Sequence, residues 1–124
     1  MHKEILSESQ IEFLPLVKLF KREYYLAGGT AVALYIGHRR SIDFDLFKFH
    51  SLNHHKIVSK ISESGFSYTI TRRVKEQVNA TIKDVKFTFF EYPFRIEAKN
   101  GFENYLRMPG LIDLAAMKAY ALGC

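Results

Sequence analysis

Two aspartates separated by a single residue are the strongest chemical signal in this 124-residue sequence. Asp43 and Asp45 lie in the segment 42–46, IDFDL, in which apolar and acidic residues alternate. Because the side chains of a β-strand point to opposite faces with a period of two, we expect both carboxylates on one face. Neighbouring carboxylates repel each other unless a cation lies between them, and hard divalent cations prefer oxygen ligands. The pair therefore predicts a divalent-metal site that would take Mg²⁺ or Mn²⁺.

A glycine-rich turn comes shortly before the acids. Gly28, Gly29 and Thr30 follow a short apolar run, and residues 31–36 are helix formers that end at Gly37. Glycine allows backbone to approach a ligand closely, and Thr30 is expected to cap the helix, whose N-terminus would attract phosphate. The sequence therefore predicts an anion cradle and a cation site joined by one short helix, which together could hold a nucleoside triphosphate with its metal.

Both features also have an ordinary structural interpretation. A strand with two outward acids is often a solvated edge, and a diglycine is often only a turn. The occurrence of both, with a helical stretch of suitable length between them, favours the functional interpretation.

The spacing resembles a known signature. Gly-Gly-Thr, followed after twelve residues by Asp-Phe-Asp, is similar to the motif of the nucleotidyltransferase (polymerase beta-like) superfamily. The longer segment 26–47, LAGGTAVALYIGHRRSIDFDLF, resembles more narrowly the AbiEii/AbiGii toxin family. The similarity extends over most of the chain and is most specific in this core.

The resemblance implies an activity and a set of partners. It implies transfer of a nucleoside monophosphate from an NTP to an acceptor hydroxyl, with Asp43 and Asp45 as the catalytic, metal-binding acids. Gly28, Gly29, Thr30 and Ser41 would hold the β- and γ-phosphates. The protein would be the toxin of a toxin–antitoxin or phage-defence pair, with an antitoxin protein as partner and tRNA or another RNA as acceptor.

Three basic residues join the candidate nucleotide-binding set. Arg39 matches the family's His-Arg pair and could neutralise a triphosphate, although it could instead pair with one of the acids. Lys86 lies on the predicted strand 85–90, where the family resemblance implies a phosphate contact and the alternative is a solvated lysine. Lys118 lies in the segment 113–118, DLAAMK, which also resembles the family.

One position departs from the superfamily pattern. Many nucleotidyltransferases carry a third carboxylate on the strand at 85–90, and it acts as the base that removes the proton of the acceptor hydroxyl. Val85, Phe87 and Phe89 form the apolar face of this strand, which is expected to meet the helices. Thr88 stands at the position of the third acid on the open face, and Glu91 would have the wrong parity unless a bulge intervenes. The alternative function is therefore a nucleotide-binding module that does not transfer nucleotide and acts through a partner protein.

Composition sets the remaining limits. The length predicts one domain, 1–124, and 48% apolar residues with eleven Phe and seven Tyr are enough for a core. No apolar run approaches the roughly 20 residues of a membrane span, and a single cysteine fits a reducing cytoplasm. The net charge of +5 suits a phosphate-rich partner. In the family that the chain resembles, the last helix leads on to a further helical region, so we expect either a shortened member or a fragment.

The predicted fold is α/β (α+β), a nucleotidyltransferase fold with a small mixed, twisted sheet backed by helices and an open acid-bearing face. A Ser-x-x-Gln capping box at Ser7 starts a helical stretch that Pro15 kinks or splits. Lys83 and Asp84 would form a two-residue hairpin. The predicted helices are 7–22, 30–36, 53–64 and 111–122, and the predicted strands are 24–27, 43–47, 66–73, 77–82 and 85–90, with a possible short strand at 95–97.

Overall fold

The computed structural model describes residues 1–38, 40 and 42–123. After a 3₁₀ turn at Lys3–Ile5, the helices are α1 Glu8–Glu12, α2 Leu14–Lys18, α3 Gly28–Ile36, α4 His54–Glu63 and α5 Leu111–Gly123. The strands are β1 Tyr25–Ala27, β2 Phe44–Lys48, β3 Thr69–Val74, β4 Gln77–Ile82, β5 Val85–Glu91, β6 Asn100–Phe102 and β7 Leu106–Met108.

Five strands form one mixed sheet in the order β1-β2-β5-β4-β3. β2 pairs with β5 in parallel, while the other neighbours are antiparallel. Helices back this sheet, so the predicted fold class is confirmed. The hairpin predicted at Lys83 and Asp84 is also present, because Ile82 pairs with Val85 and Lys83 takes a positive φ of 55°.

One face of the sheet forms the core. Phe44 and Leu46 of β2 and Phe87 and Phe89 of β5 are all buried, as the alternating pattern predicts. Phe20, which follows α2, packs against Phe89 with ring centroids 4.8 Å apart. Burial of each such ring stabilises the fold by about 2–3 kcal/mol. The sheet is thereby fixed from its apolar side, which leaves the opposite face of β2 and β5 for polar residues.

The N-terminal stretch folds as two short helices. Ser7 and Gln10 form the predicted capping box at the start of α1. Pro15 lies in the first turn of α2, where a missing N–H is tolerated, so the predicted helix 7–22 is split at Phe13.

Three local predictions are wrong. Residues 95–97 form no strand, and two short strands, β6 and β7, follow instead. β2 begins at Phe44, so Asp43 precedes the strand that was predicted at 43–47 and does not share a strand face with Asp45. Ile42 also lies before the strand and is 52% exposed rather than part of the apolar face. Thr30 does not cap a helix, because α3 already begins at Gly28 with Ala27 as its N-cap residue. Among the residues that the structure describes, no helix is long and apolar enough to span a lipid bilayer.

Candidate active site

Asp45 occupies the middle of the open face. It lies on β2 between Ala27 of β1 and Thr88 of β5, which are its register partners. The carboxylate is largely buried and accepts a hydrogen bond from the Thr88 hydroxyl. Thr88 therefore lies beside Asp45, at the position where the superfamily pattern would have a third acid.

Gly28 lies directly against this carboxylate. A Cβ atom built on Gly28 would be 1.9 Å from Oδ2 of Asp45, and the residue has a φ of +70°. Both the contact and the backbone conformation exclude other side chains. The start of α3 and Asp45 therefore touch, so the predicted proximity of the glycine turn to the acids is present for Asp45.

Two buried side chains hold the backbone of the segment that carries Asp43. The buried hydroxyl of Thr30 donates a hydrogen bond to the backbone carbonyl of Asp43. The buried side chain of Gln10 donates to the same carbonyl at 3.2 Å. Thr30 is thus oriented toward the acid segment, and any contact it made with phosphate would come from its backbone.

The two carboxylates act on each other electrostatically. Burial, and then the negative charge of Asp43, raise the pKa of Asp45 from 3.8 to about 6, against the opposing effects of Lys86 and the Thr88 hydroxyl. A divalent cation between the acids would remove this penalty, and two carboxylates suffice for Mg²⁺, which usually completes its shell with water and substrate phosphates. The donor set therefore fits such an ion. Among the residues that the structure describes, no group of three or more His, Cys, Asp or Glu is arranged so that it could hold a metal ion.

The raised pKa of Asp45 predicts an unusual dependence of stability on pH. The folded state holds the Asp45 proton more tightly than the unfolded state, so this contribution is present below about pH 4 and is lost as the pH rises through about 6. Without metal, the free energy of unfolding should fall by up to about 3 kcal/mol across that range relative to Asp45→Asn. Urea unfolding of both proteins in EDTA from pH 4 to 8 measures the difference, and parallel curves would contradict the prediction.

A cleft of about 710 Å³ opens between this face of the sheet and α5. Gly28, Gly29, Asp45 and Thr88 line one end of it, together with His38. Lys118 reaches the cleft from α5. The cleft thus brings the predicted glycine turn, one of the two acids and one of the predicted basic residues into a single concave site.

The other predicted residues that the structure describes lie outside the cleft lining. Asp43 is half-buried beside Asp45, and Lys86 is exposed near enough to lower the pKa of Asp45, but neither lines the cleft. Arg39 and Ser41 fall outside the described residues, so their predicted roles remain predictions. Glu91 differs from Thr88 by an odd number of positions along β5, so it belongs to the other face of the strand. One of its carboxylate oxygens is buried without a hydrogen-bond partner.

Sequence reasoning missed several residues that line the cleft. His38 was part of the recognised motif but received no role. Gln77 and Phe47 could have been found from parity alone, since Gln77 pairs with Phe90 and Phe47 follows Asp45 by two residues. Met117 belongs to the segment DLAAMK but received no role, and Tyr120 carried no signal. The place of both residues opposite β2 and β5 depends on tertiary packing.

Comparison with known proteins adds to this geometry. The family model described as "Nucleotidyl transferase AbiEii toxin, Type IV TA system" matches residues 16–119. The uncharacterized protein aq_aa25 of Aquifex aeolicus (strain VF5) is 34% identical over 107 residues, which cover 81% of this chain and 50% of that protein.

Two solved structures from Helicobacter pylori share the fold. JHP933 has a TM-score of 0.62 at 21% identity, covering 91% of this chain and 57% of its own. A second chain, described as a candidate nucleotidyltransferase, has a TM-score of 0.62 at 20% identity, covering 90% of this chain and 58% of its own. The present chain therefore spans about half the length of the relatives it matches.

Proposed function

We propose that this chain, which belongs to the AbiEii family of nucleotidyltransferase toxins, transfers a nucleoside monophosphate from an NTP to an acceptor hydroxyl. The contact between Gly28 at the start of α3 and the carboxylate of Asp45 is the observation that supports this most directly. It joins an anion-attracting helix N-terminus to a metal-binding acid, so a triphosphate and its metal would occupy adjacent positions.

Each candidate residue then has a role in holding the NTP. The backbone N–H groups of Gly28 and Gly29 would bind the β- and γ-phosphates, and Lys118, on the opposite wall of the cleft, would balance their charge. Asp43 and Asp45 would hold Mg²⁺ or Mn²⁺, which supplies charge neutralisation and polarisation of the α-phosphate when bound. Arg39, Ser41, Thr30 and Lys86 complete the proposed nucleotide-binding set.

The acceptor and the biological role follow from the family description. A toxin of a type IV toxin–antitoxin system has an antitoxin, so we propose an antitoxin protein as a partner of this chain. The net charge of +5 favours an acceptor rich in phosphate, and a tRNA or another RNA has the required hydroxyl groups. We place the reaction in the cytoplasm, where nucleotide and RNA are both available.

Thr88 favours a second candidate function, a nucleotide-binding module without transfer. Its hydroxyl donates to Asp45 and is no base at neutral pH, so the acceptor hydroxyl lacks a carboxylate partner at this position. The two functions share NTP binding and differ in turnover, since only the transferase releases pyrophosphate.

Incubation with labelled NTP, Mg²⁺ and total tRNA tests the proposal. We expect slow transfer by the natural chain, and a faster rate in Thr88→Asp by up to about 10²-fold, because a positioned base typically contributes 10²–10⁴. Thr81→Asp is the matched control, since Thr81 lies on the same face but pairs with Lys86, away from Asp45.

Three results would count against these expectations. Rapid labelling by the natural chain, lost in Asp45→Asn, would show that no third carboxylate is needed. NTP binding without pyrophosphate release in any variant would favour the binding module. Absence of NTP binding would exclude both functions.

A further inference from the structure

The polarity of the open face changes in steps along β2 and β5. Asp45 and Thr88 are register partners in one row, and Phe47 and Phe90 are partners in the next row on the same face. Two residues of a strand span about 7 Å, so the aromatic row lies one such step from the acid. The acid end and the aromatic end belong to the same cleft.

The aromatic row is one continuous wall. The ring centroid of Phe47 lies 5.2 Å from that of Phe90 and 5.7 Å from that of Tyr92, and the rings of Phe47 and Tyr92 are 24° from parallel. Phe47 and Phe90 are only partly buried although large and apolar, and the surface they leave exposed faces the cleft. Such a surface is well suited to a flat, apolar group.

The facing wall is supplied by α5. Met117 and Tyr120 line the same cleft, and the ring of Tyr120 meets Tyr92 edge to face at a centroid distance of 6.0 Å. A thioether and an aromatic ring opposite two phenylalanines form a slot that is apolar on both sides. Slots of this kind bind nucleobases through stacking, which tolerates any base because every base has a π-face.

We propose that this slot between Phe47, Phe90 and α5 is the nucleobase subsite of the cleft. The inference rests on the proposed function, since it takes the α-phosphate to lie at Asp45. In a nucleotide only the ribose separates that phosphate from the base, which matches the single step from the acid row to the aromatic row. A triphosphate at Gly28 and a base at Phe90 therefore occupy opposite ends of one cleft.

In this subsite, Gln77 is the residue that forms hydrogen bonds with the polar edge of the base. It is the register partner of Phe90 and lines the cleft beside the aromatic wall. Its side-chain Nε2 donates to Oδ1 of Asn79 at 2.9 Å, which holds the amide in place. A fixed amide at the end of a stacking slot discriminates among bases, because a mismatched base leaves a buried polar group unpaired.

Binding of NTP and of inorganic tripolyphosphate separates the base from the phosphates. With Mg²⁺ present, calorimetry should give a weaker Kd for NTP in Phe47→Leu and in Phe90→Leu, by about tenfold or more, because one stacking partner of the base is lost. Affinity for tripolyphosphate should stay unchanged in both variants. Phe49→Leu is the matched control, since Phe49 is exposed and packs on His50 and Arg95 outside the cleft lining.

The possible results distinguish this inference from the proposed function. Equal affinity of the natural chain for NTP and tripolyphosphate, or a parallel loss of both ligands in the Leu variants, would overturn the base subsite and leave the triphosphate site standing. Failure of both ligands to bind would overturn the proposed function and the subsite with it. Saturation-transfer NMR on the natural chain gives a check that needs no variant, because base protons in the slot should receive saturation from aromatic protons.

The role of Gln77 has its own measurement. In Gln77→Leu the spread of Kd values among ATP, GTP, CTP and UTP should shrink by about threefold or more, since the amide that discriminates among them is gone. Equal Kd values for all four in the natural chain, or an unchanged spread in the variant, would overturn this role.

Discussion

Replacing both acids, Asp43→Asn with Asp45→Asn, is expected to abolish magnesium-dependent NTP binding while leaving the chain folded. Asparagine keeps the shape of each side chain but removes the charge that attracts a divalent ion. Burial and, second, the charge of Asp43 raise the pKa of Asp45, and neither penalises a neutral asparagine, so the metal-free double variant should be at least as stable as the natural chain at pH 7. Calorimetric titration with NTP and Mg²⁺ measures the first effect, and urea unfolding measures the second.

A charge-matched control distinguishes the loss of the metal site from a general change in the net charge of the protein. Asp84→Asn with Glu63→Gln removes the same two negative charges from exposed positions in the hairpin turn and at the end of α4. This control should keep the affinity of the natural chain. If the Asp43/Asp45 double variant bound NTP–Mg²⁺ equally well, the acids would not be the metal site.

Gly28→Ala should disrupt the site more severely than a single methyl group suggests. The new Cβ would lie 1.9 Å from Oδ2 of Asp45, so either the carboxylate or the start of α3 must move. Alanine at a φ of +70° adds about 1–2 kcal/mol of backbone strain, and overpacking adds about 1–3 kcal/mol. We expect a loss of about 2–5 kcal/mol in the free energy of unfolding and at least a tenfold loss of NTP–Mg²⁺ affinity.

Gly65→Ala is the control that isolates backbone strain. Gly65 has a φ of +86°, and a Cβ atom built there meets nothing within 4 Å. This variant should lose about 1 kcal/mol of stability and keep its affinity for NTP. Equal effects of the two substitutions on stability and binding would show that contact with Asp45 plays no special part.

Local patterns predicted the parts of the molecule that depend on local geometry. Alternation on β2 and β5 was enough to place Phe44, Leu46, Phe87 and Phe89 in the core and Thr88 on the acid face. Patterns failed where tertiary contacts decide. The Thr30 hydroxyl looked like a cap, yet it donates to the carbonyl of Asp43 thirteen residues later, a contact that exists only once α3 has packed beside β2.

The candidate site, too, could be predicted only in part from local sequence. The glycine turn and the acids form a recognisable motif of nearby residues, whereas the contact between Gly28 and Asp45 results from tertiary packing. The apolar slot could be predicted only in part. Parity along β2 and β5 puts Phe47 and Phe90 on the acid-bearing face, whereas Tyr120 belongs to α5, and its place opposite them depends on tertiary packing.

The link from Gln10 to Asp43 has a consequence beyond the site. Gln10 completes the cap of α1 by accepting from the Ser7 backbone at 3.0 Å, and the same side chain donates to the Asp43 carbonyl. The folding of the N-terminal helix and the position of an acid are therefore thermodynamically coupled through one amide. Such coupling is reciprocal. A ligand that orders the acid segment therefore protects α1 against local unfolding, and unwinding of α1 weakens the binding of that ligand by the same free energy.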